Sequence, residues 1–256
     1  MRARKRFGQH FLREPGVVAR IVAAIDPRPD DALVEIGPGR GVLTYPLLER
    51  TKRLRAIEID RDLAAELDAD PSTQGRLEIL PVDVLSVDFR ALRGSGPKLR
   101  LVGNLPYNIS TPLIFHLLTQ HDAIADAHFM LQKEVVARMA AAPGNKTYGR
   151  LTVMLAPYCR VEPLFDVAPG AFRPAPQVTS TVARILPHAT PPFVIDDPSV
   201  FARVVAAAFS QRRKKLSNAL GAVASVELMT AAGIDPNDRA ERIAPAQFAA
   251  LANRLT

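Results

Sequence analysis

At 256 residues, 48% hydrophobic and 23% charged, the chain is long and apolar enough to bury a large core, which excludes fibrous, collagen-like and wholly disordered classes. Its one cysteine, Cys159, forbids an internal disulfide and favours a reducing compartment. The net charge of +7 is uneven: residues 1–20 hold six Arg/Lys against one Glu and residues 201–256 hold eight against four, whereas residues 21–200 are close to neutral. Basic ends on a neutral body suit a protein that grips a polyanion, because Lys and Arg displace counterions condensed on phosphates. Composition alone leaves a merely solvated basic surface equally open. No apolar stretch follows the basic residues Arg2 to Arg6, and no long apolar run occurs elsewhere, so a cytoplasmic protein that neither enters nor crosses a membrane is expected.

From residue 31 short apolar runs alternate with helical patterns. Strands are expected at Ala32-Leu33-Val34-Glu35-Ile36, Leu54 to Ile59, Leu77 to Leu80, Leu99 to Val102 and His128 to Leu131. Five strands separated by crossovers imply a mostly parallel sheet covered by helices, a Rossmann-like α/β core. An amphipathic stretch at Leu151 to Tyr158 and an apolar run from Val161 to Val167 follow, and Val178 to Leu186 alternates as a last strand does. Pro187 to Pro198 holds four prolines in twelve residues and reads as a break. Helices are expected at Val200 to Phe209 and Lys215 to Val226. The division expected is therefore a catalytic domain over residues 1–187, with a basic N-terminal arm, and a small helical docking domain over 188–256.

The first strand runs into Glu35-Ile36-Gly37-Pro38-Gly39-Arg40-Gly41 and then a helical pattern, the setting in which a glycine turn admits a ligand to the backbone. The spacing is G-x-G-x-G, not the G-x-G-x-x-G of dinucleotide binding, and NAD is disfavoured. Glu58 ends the second strand, where an acid accepts from both hydroxyls of a ribose. Asp83 follows the third strand on the same edge. Singly, each feature is as well explained by a tight turn or an exposed acid. In order on consecutive strands, they describe a pocket for a nucleoside with no large phosphate demand, such as S-adenosylmethionine.

The fourth strand runs into Gly103-Asn104-Leu105-Pro106-Tyr107-Asn108-Ile109-Ser110. Adenine N6 is a poor nucleophile because its lone pair is delocalised into the ring, so an N6-methyltransferase must localise that pair. Two acceptors suffice. The Asn104 oxygen and the Leu105 carbonyl can each take one N6 hydrogen, Pro106 fixes the direction of that carbonyl, and Tyr107 offers a face for stacking. No strong general base is needed, since the methyl arrives from a cation and the surplus proton can leave to solvent.

With Gly8-Gln9-His10-Phe11-Leu12, Glu35 to Gly41, Glu58-Ile59-Asp60, Asp83, Asn104 to Ser110 and Phe172-Arg173-Pro174-Ala175-Pro176, the chain resembles the KsgA-type ribosomal RNA adenine dimethyltransferases. The resemblance runs from Phe7 through Gln211-Arg212-Arg213-Lys214. It implies a class I S-adenosylmethionine-dependent fold and transfer of two methyl groups to N6 of each of two adjacent adenosines in the 3′-terminal hairpin of 16S rRNA in the small ribosomal subunit. It places His10 and Leu12 at the methionine end of the cofactor, Gly37 at the turn, Glu58 at the ribose, Asp83 at the adenine and Asn104 beside the methyl. It sets Phe172 opposite Tyr107, so that the target base, cheaply extruded from an unpaired loop, lies between two rings. His10 stands where many members carry Asn, and Gln177 where Lys is common.

No metal site is expected: His116 and His121 are five apart, not the four that put two imidazoles on one helical face. No G-x-S-x-G elbow accompanies a serine, and Cys159 reads as a small buried hydrophobe. Gly144 to Arg150 fits either a mobile basic loop near RNA or a solvated connection, and Gln211 to Lys215 fits a phosphate grip. Rivals to the leading reading are a methyltransferase of large-subunit RNA and a non-enzymatic assembly factor on the same scaffold. A DNA adenine methyltransferase fits less well, because those usually carry Asp-Pro-Pro-Tyr. A monomer is the default.

Overall fold

The computed structural model describes His10 to Thr256 except Arg212. Gly8, Gln9, the basic residues before them and Arg212 of the expected phosphate grip therefore lie outside the described residues. Among these, nine strands occur: β1 (Phe11–Leu12), β2 (Leu33–Ile36), β3 (Leu54–Ile57), β4 (Leu77–Leu80), β5 (Leu99–Asn104), β6 (Ile124–Gln132), β7 (Cys159–Val167), β8 (Phe172–Arg173) and β9 (Ser180–Pro187). Seven form one sheet in the order β4-β3-β2-β5-β6-β9-β7, while β1 pairs antiparallel with β8. The pairings from β4 to β6 are parallel, with Val34 opposite both Arg55 and Leu101, and β9 returns antiparallel to β6.

The chain winds outward from β2 through β3 to β4, then crosses back to lay β5 on the other side of β2. Strand order thus reverses between β2 and β5, which opens a crevice beyond the carboxyl ends of those strands. β2 is buried on both faces, as expected for Leu-Val-Glu-Ile in the middle of a parallel sheet covered by helices. One covering helix, Pro15–Ile25, shows how local sequence sets packing. Pro15 starts it, where no N–H is needed, and Val18, Ile21, Val22 and Ile25 recur at helical spacing and are all buried. Asp26, in a left-handed conformation, ends it.

Two compact units divide the chain. One runs through Val136 and resumes at Val161–Pro187; the other comprises Ala137–Arg160 and His188–Thr256. The boundary expected at residue 187 is present, but the helical unit also takes Ala137–Arg160, which the sequence had assigned to the catalytic domain. The cause is Tyr148. This residue of the Gly144 to Arg150 loop is fully buried with Phe201 and Phe248, and its hydroxyl donates to the Ile243 carbonyl at 2.7 Å. The Gly144 N–H likewise donates to the Glu241 carbonyl at 2.7 Å. That loop is an anchor of the second core, which neither reading of it anticipated.

The helical unit contains Pro198–Ser210, close to the expected Val200 to Phe209, with the Asp197 carboxylate accepting from the Ser199 and Val200 N–H groups at its start. The second helix departs from expectation. Only Leu216–Ala219 is helical, and a new helix begins at Val226. The Leu216 and Ser217 N–H groups bind the Asp238 and Pro236 carbonyls, which fixes a short turn, and the Ser225 hydroxyl accepts from the Leu228 N–H to start the next helix.

Candidate active site

The crevice at the strand reversal is a cleft walled by the β2–Gly41 turn, the ends of β3 and β4, the Asn104 to Ile109 segment and His10 to Leu12. Gly37, Gly39 and Gly41 have φ of +67°, +59° and +78°, a turn that residues with a side chain adopt at a cost. Gly39 is further restricted because a Cβ there would sit 3.2 Å from the Phe11 ring.

Glu58 ties this turn to the next strand. One carboxylate oxygen accepts from the Gly39 N–H at 3.0 Å and the other from the Asp60 N–H at 2.9 Å. Burial pushes its pKa up, and the backbone donors of Asp60 and Gly39 pull it back. Each oxygen keeps a lone pair for a ribose hydroxyl. Asp83 is exposed at the end of β4 with one oxygen held by the Leu85 N–H at 2.9 Å. Ile59 and Val82, 46% and 39% exposed, present apolar surface between the two acids, suited to a flat heterocycle. Sequence reading gave neither residue a role, although exposed apolar side chains beside strand-end acids are the signal.

Glu35, at the head of the glycine motif, is fully buried on the floor of the cleft. Desolvation drives its pKa up to about 7; the Thr44 hydroxyl, donating at 2.7 Å, lowers it and nearby Glu58 raises it. Among the described residues no Lys or Arg nitrogen lies within 4.0 Å of Glu35, Glu58 or Asp83. Glu35, Glu58 and Asp83 therefore face the cleft without a paired Lys or Arg, an electrostatic match to a positively charged nucleoside. These donors and acceptors fit S-adenosylmethionine.

Asn104 closes β5. Its side-chain N–H donates to the His10 carbonyl at 2.8 Å. Only the NH₂ end of an amide can face a carbonyl, so the flip is fixed and the oxygen is the end left for a ligand. Pro106 has φ of −57° and precedes the helix Tyr107–Leu118, while the Leu105 N–H donates to the Met130 carbonyl and pins the segment to β6. The Tyr107 hydroxyl shares a 2.8 Å hydrogen bond with Ser180, and burial raises its pKa. Gly103 makes this arrangement possible. A Cβ there would lie 2.4 Å from the Ile36 carbonyl oxygen, so no other residue lets β5 end so close to the glycine turn. An isolated glycine inside a strand pattern was its visible sign.

His10, Leu12, Gly37, Glu58, Asp83, Asn104, Leu105, Pro106 and Tyr107 all line the cleft. Phe172 does not. It is 2% exposed, opposite Leu12 in the β1–β8 pair and packed in the core with Val167 and Val182. Strand alternation is the reason: Phe172 points inward and its neighbour Arg173 outward. The ring next to Tyr107 is the His10 imidazole, at a centroid distance of 5.5 Å and tilted 30°. A base sandwiched between two rings needs roughly 7 Å, two van der Waals spacings, so those rings touch one another and leave one outer face for stacking. The His10 Nδ1–H donates to the Pro174 carbonyl at 2.7 Å, which fixes the ring.

A doubly wound sheet with a glycine turn, two acids and an asparagine at successive carboxyl ends defines a class I S-adenosylmethionine-dependent methyltransferase. The family model for ribosomal RNA adenine dimethylase matches residues 1–256. The ribosomal RNA small subunit methyltransferase A of Salmonella choleraesuis is 52% identical over 99% of this chain and 93% of its own length, and that of Photorhabdus laumondii 50% over 99% and 94%. Among solved structures, a dimethyladenosine transferase from Plasmodium falciparum matches with a TM-score of 0.77 at 25% identity, covering 94% of this chain and 96% of that one. The 23S rRNA methyltransferase ErmE matches at 0.74 and 27%, covering 96% and 99%. The chain belongs to the ribosomal RNA adenine dimethylase family and is an S-adenosylmethionine-dependent rRNA adenine dimethyltransferase.

Proposed function

We propose that this chain dimethylates N6 of two adjacent adenosines in the 3′-terminal hairpin loop of 16S rRNA, on the small ribosomal subunit or its precursor, as a cytoplasmic monomer. The observation that carries the reading is the Asn104 amide, held by the His10 carbonyl so that its oxygen is the acceptor beside the cofactor cleft. The small-subunit assignment draws on the names of the relatives that share about half of its residues over nearly the whole chain.

When bound, S-adenosylmethionine supplies an electrophilic methyl on a sulfonium. Glu58 would hold its ribose, Asp83 its adenine amine, and His10, Leu12 and the Gly37 turn its methionine end. The Asn104 oxygen and the Leu105 carbonyl accept the hydrogens of the target amine, which draws its lone pair out of conjugation and aims it at the methyl. Such preorganised dipoles act without reorganising during the reaction. Tyr107, anchored through Ser180, offers the base its stacking face. The amine's surplus proton departs to solvent. A second methylation requires the mono-methylated amine to rotate and present its remaining hydrogen to the same acceptors.

Mass spectrometry of rRNA from unmodified ribosomal subunits, incubated with this protein and S-adenosylmethionine, tests the proposal. Two adjacent dimethyladenosines in the small-subunit rRNA are expected. Modification of the large-subunit RNA instead, or none, would overturn it.

A further inference from the structure

Next to the cofactor cleft is a second recess, on the outward face of the β1–β8 ribbon. Phe11 lies opposite Arg173, and the Arg13 N–H donates to the Ala171 carbonyl at 2.8 Å, which continues the ladder by one residue. Alternation puts Leu12 and Phe172 into the core and Phe11, Arg13 and Arg173 on the other side. The Arg40 guanidinium, from the glycine turn, sits over the Phe11 ring at 5.0 Å. Three exposed arginines from three segments thus line one recess around one aromatic ring.

Like charges brought together repel, and among the described residues no carboxylate lies within 4.0 Å of Arg13 or Arg173. The adjacent Glu14 turns its carboxylate toward Gly16 at the start of the following helix. The recess shares Phe11, Leu12, Arg40 and Val42 with the cleft. His10, whose carbonyl holds Asn104, is three residues from Arg13, which puts Arg13 ~10 Å from that carbonyl along an extended backbone. An arginine fork matches a phosphate's oxygens, and a strand presenting one base to Asn104 must carry a backbone phosphate past this wall.

We propose that Arg13, Arg40 and Arg173 form a binding site for a phosphodiester of the RNA backbone adjacent to the reacting adenosine. This rests on the reading that the cleft methylates RNA. The site holds the flanking backbone while the base turns in, so it governs substrate capture rather than the chemical step, and it acts on any sequence.

The test compares the parent with R13Q/R173Q and R13K/R173K, using the hairpin-loop RNA, an oligouridylate of equal length, and intact small subunits. For R13Q/R173Q we expect weaker binding of both RNAs, and a slope of log affinity against log salt shallower by about 1.4, two contacts at roughly 0.7 each on single strands. KM should rise several-fold on subunits with kcat and cofactor affinity unchanged. R13K/R173K should restore the salt slope, since lysine supplies the charge. Parental affinity and slope in R13Q/R173Q would overturn the site, as would a slope that lysine fails to restore. RNA binding is read independently of turnover. A parent that binds RNA but methylates nothing thus overturns the proposed function alone.

Discussion

The two ends of the sheet handle their carboxylates in opposite ways. At the ends where β5 and β6 begin, Arg100 fills its guanidinium: Nε and Nη2 donate to Asp126 at 2.9 and 3.0 Å, Nη1 to Asp31 at 2.6 Å, and Nη2 to the Ile25 carbonyl at 2.6 Å. At the carboxyl ends, Glu35, Glu58 and Asp83 are met by a hydroxyl and backbone N–H groups alone. The first arrangement is complete in itself, its two carboxylates met by Arg100 and, at 3.6 Å from Asp126, by Arg184. The second leaves charge and lone pairs for something the protein does not contain, and that difference separates a structural charge cluster from a binding site on one scaffold.

The largest effect on this contrast comes from Arg100→Met. It takes the cation from Asp31 and leaves Asp126 only Arg184, 3.6 Å away, and removing one partner of a buried pair costs about 3–5 kcal/mol. Urea denaturation should register that loss, while the cofactor affinity of the folded fraction stays unchanged. Next is Glu35→Gln. With its pKa raised from 4.5 to about 7, the Glu35 carboxyl lends stability that is whole below pH 4.5 and is lost as pH rises through 7. Without cofactor, E35Q should therefore match the parent near pH 4.5 and exceed it at pH 8 by on the order of 3 kcal/mol. A parent whose stability does not fall across that window would remove the argument. Smaller is Gly103→Ala. The new methyl meets the Ile36 carbonyl oxygen, so a loss of about 1–3 kcal/mol is expected, together with weakened cofactor binding in calorimetry because β5 and the glycine turn are pushed apart.

The cleft end was largely legible in the sequence because its parts are local. Gly37 to Gly41, Glu58, Asp83 and Asn104 to Tyr107 each follow a short apolar run, and parallel winding brings such ends together without knowledge of any distant contact. The Arg100 cluster was not legible. Its partners lie 26 and 69 positions away, and charged residues at strand starts look like solvated ones. Tyr148 was missed because a polar, glycine-flanked loop gave no sign that its aromatic residue enters a core. Phe172 was placed in the site because the alternation of a two-residue strand cannot be read from its sequence. The run from Lys215 to Val226 has helical composition, but its first N–H groups are taken by the Pro236 and Asp238 carbonyls, a tertiary choice that local propensity does not encode.

Asn104→Ala tests the central claim most directly, with single-turnover methyl transfer to small subunits and cofactor affinity measured on the same sample. We expect transfer slowed at least about a hundredfold, as for loss of one preorganised polar group at a reacting centre, with cofactor affinity within a few-fold of the parent. Parental transfer rates from a folded, cofactor-binding N104A protein would contradict the account.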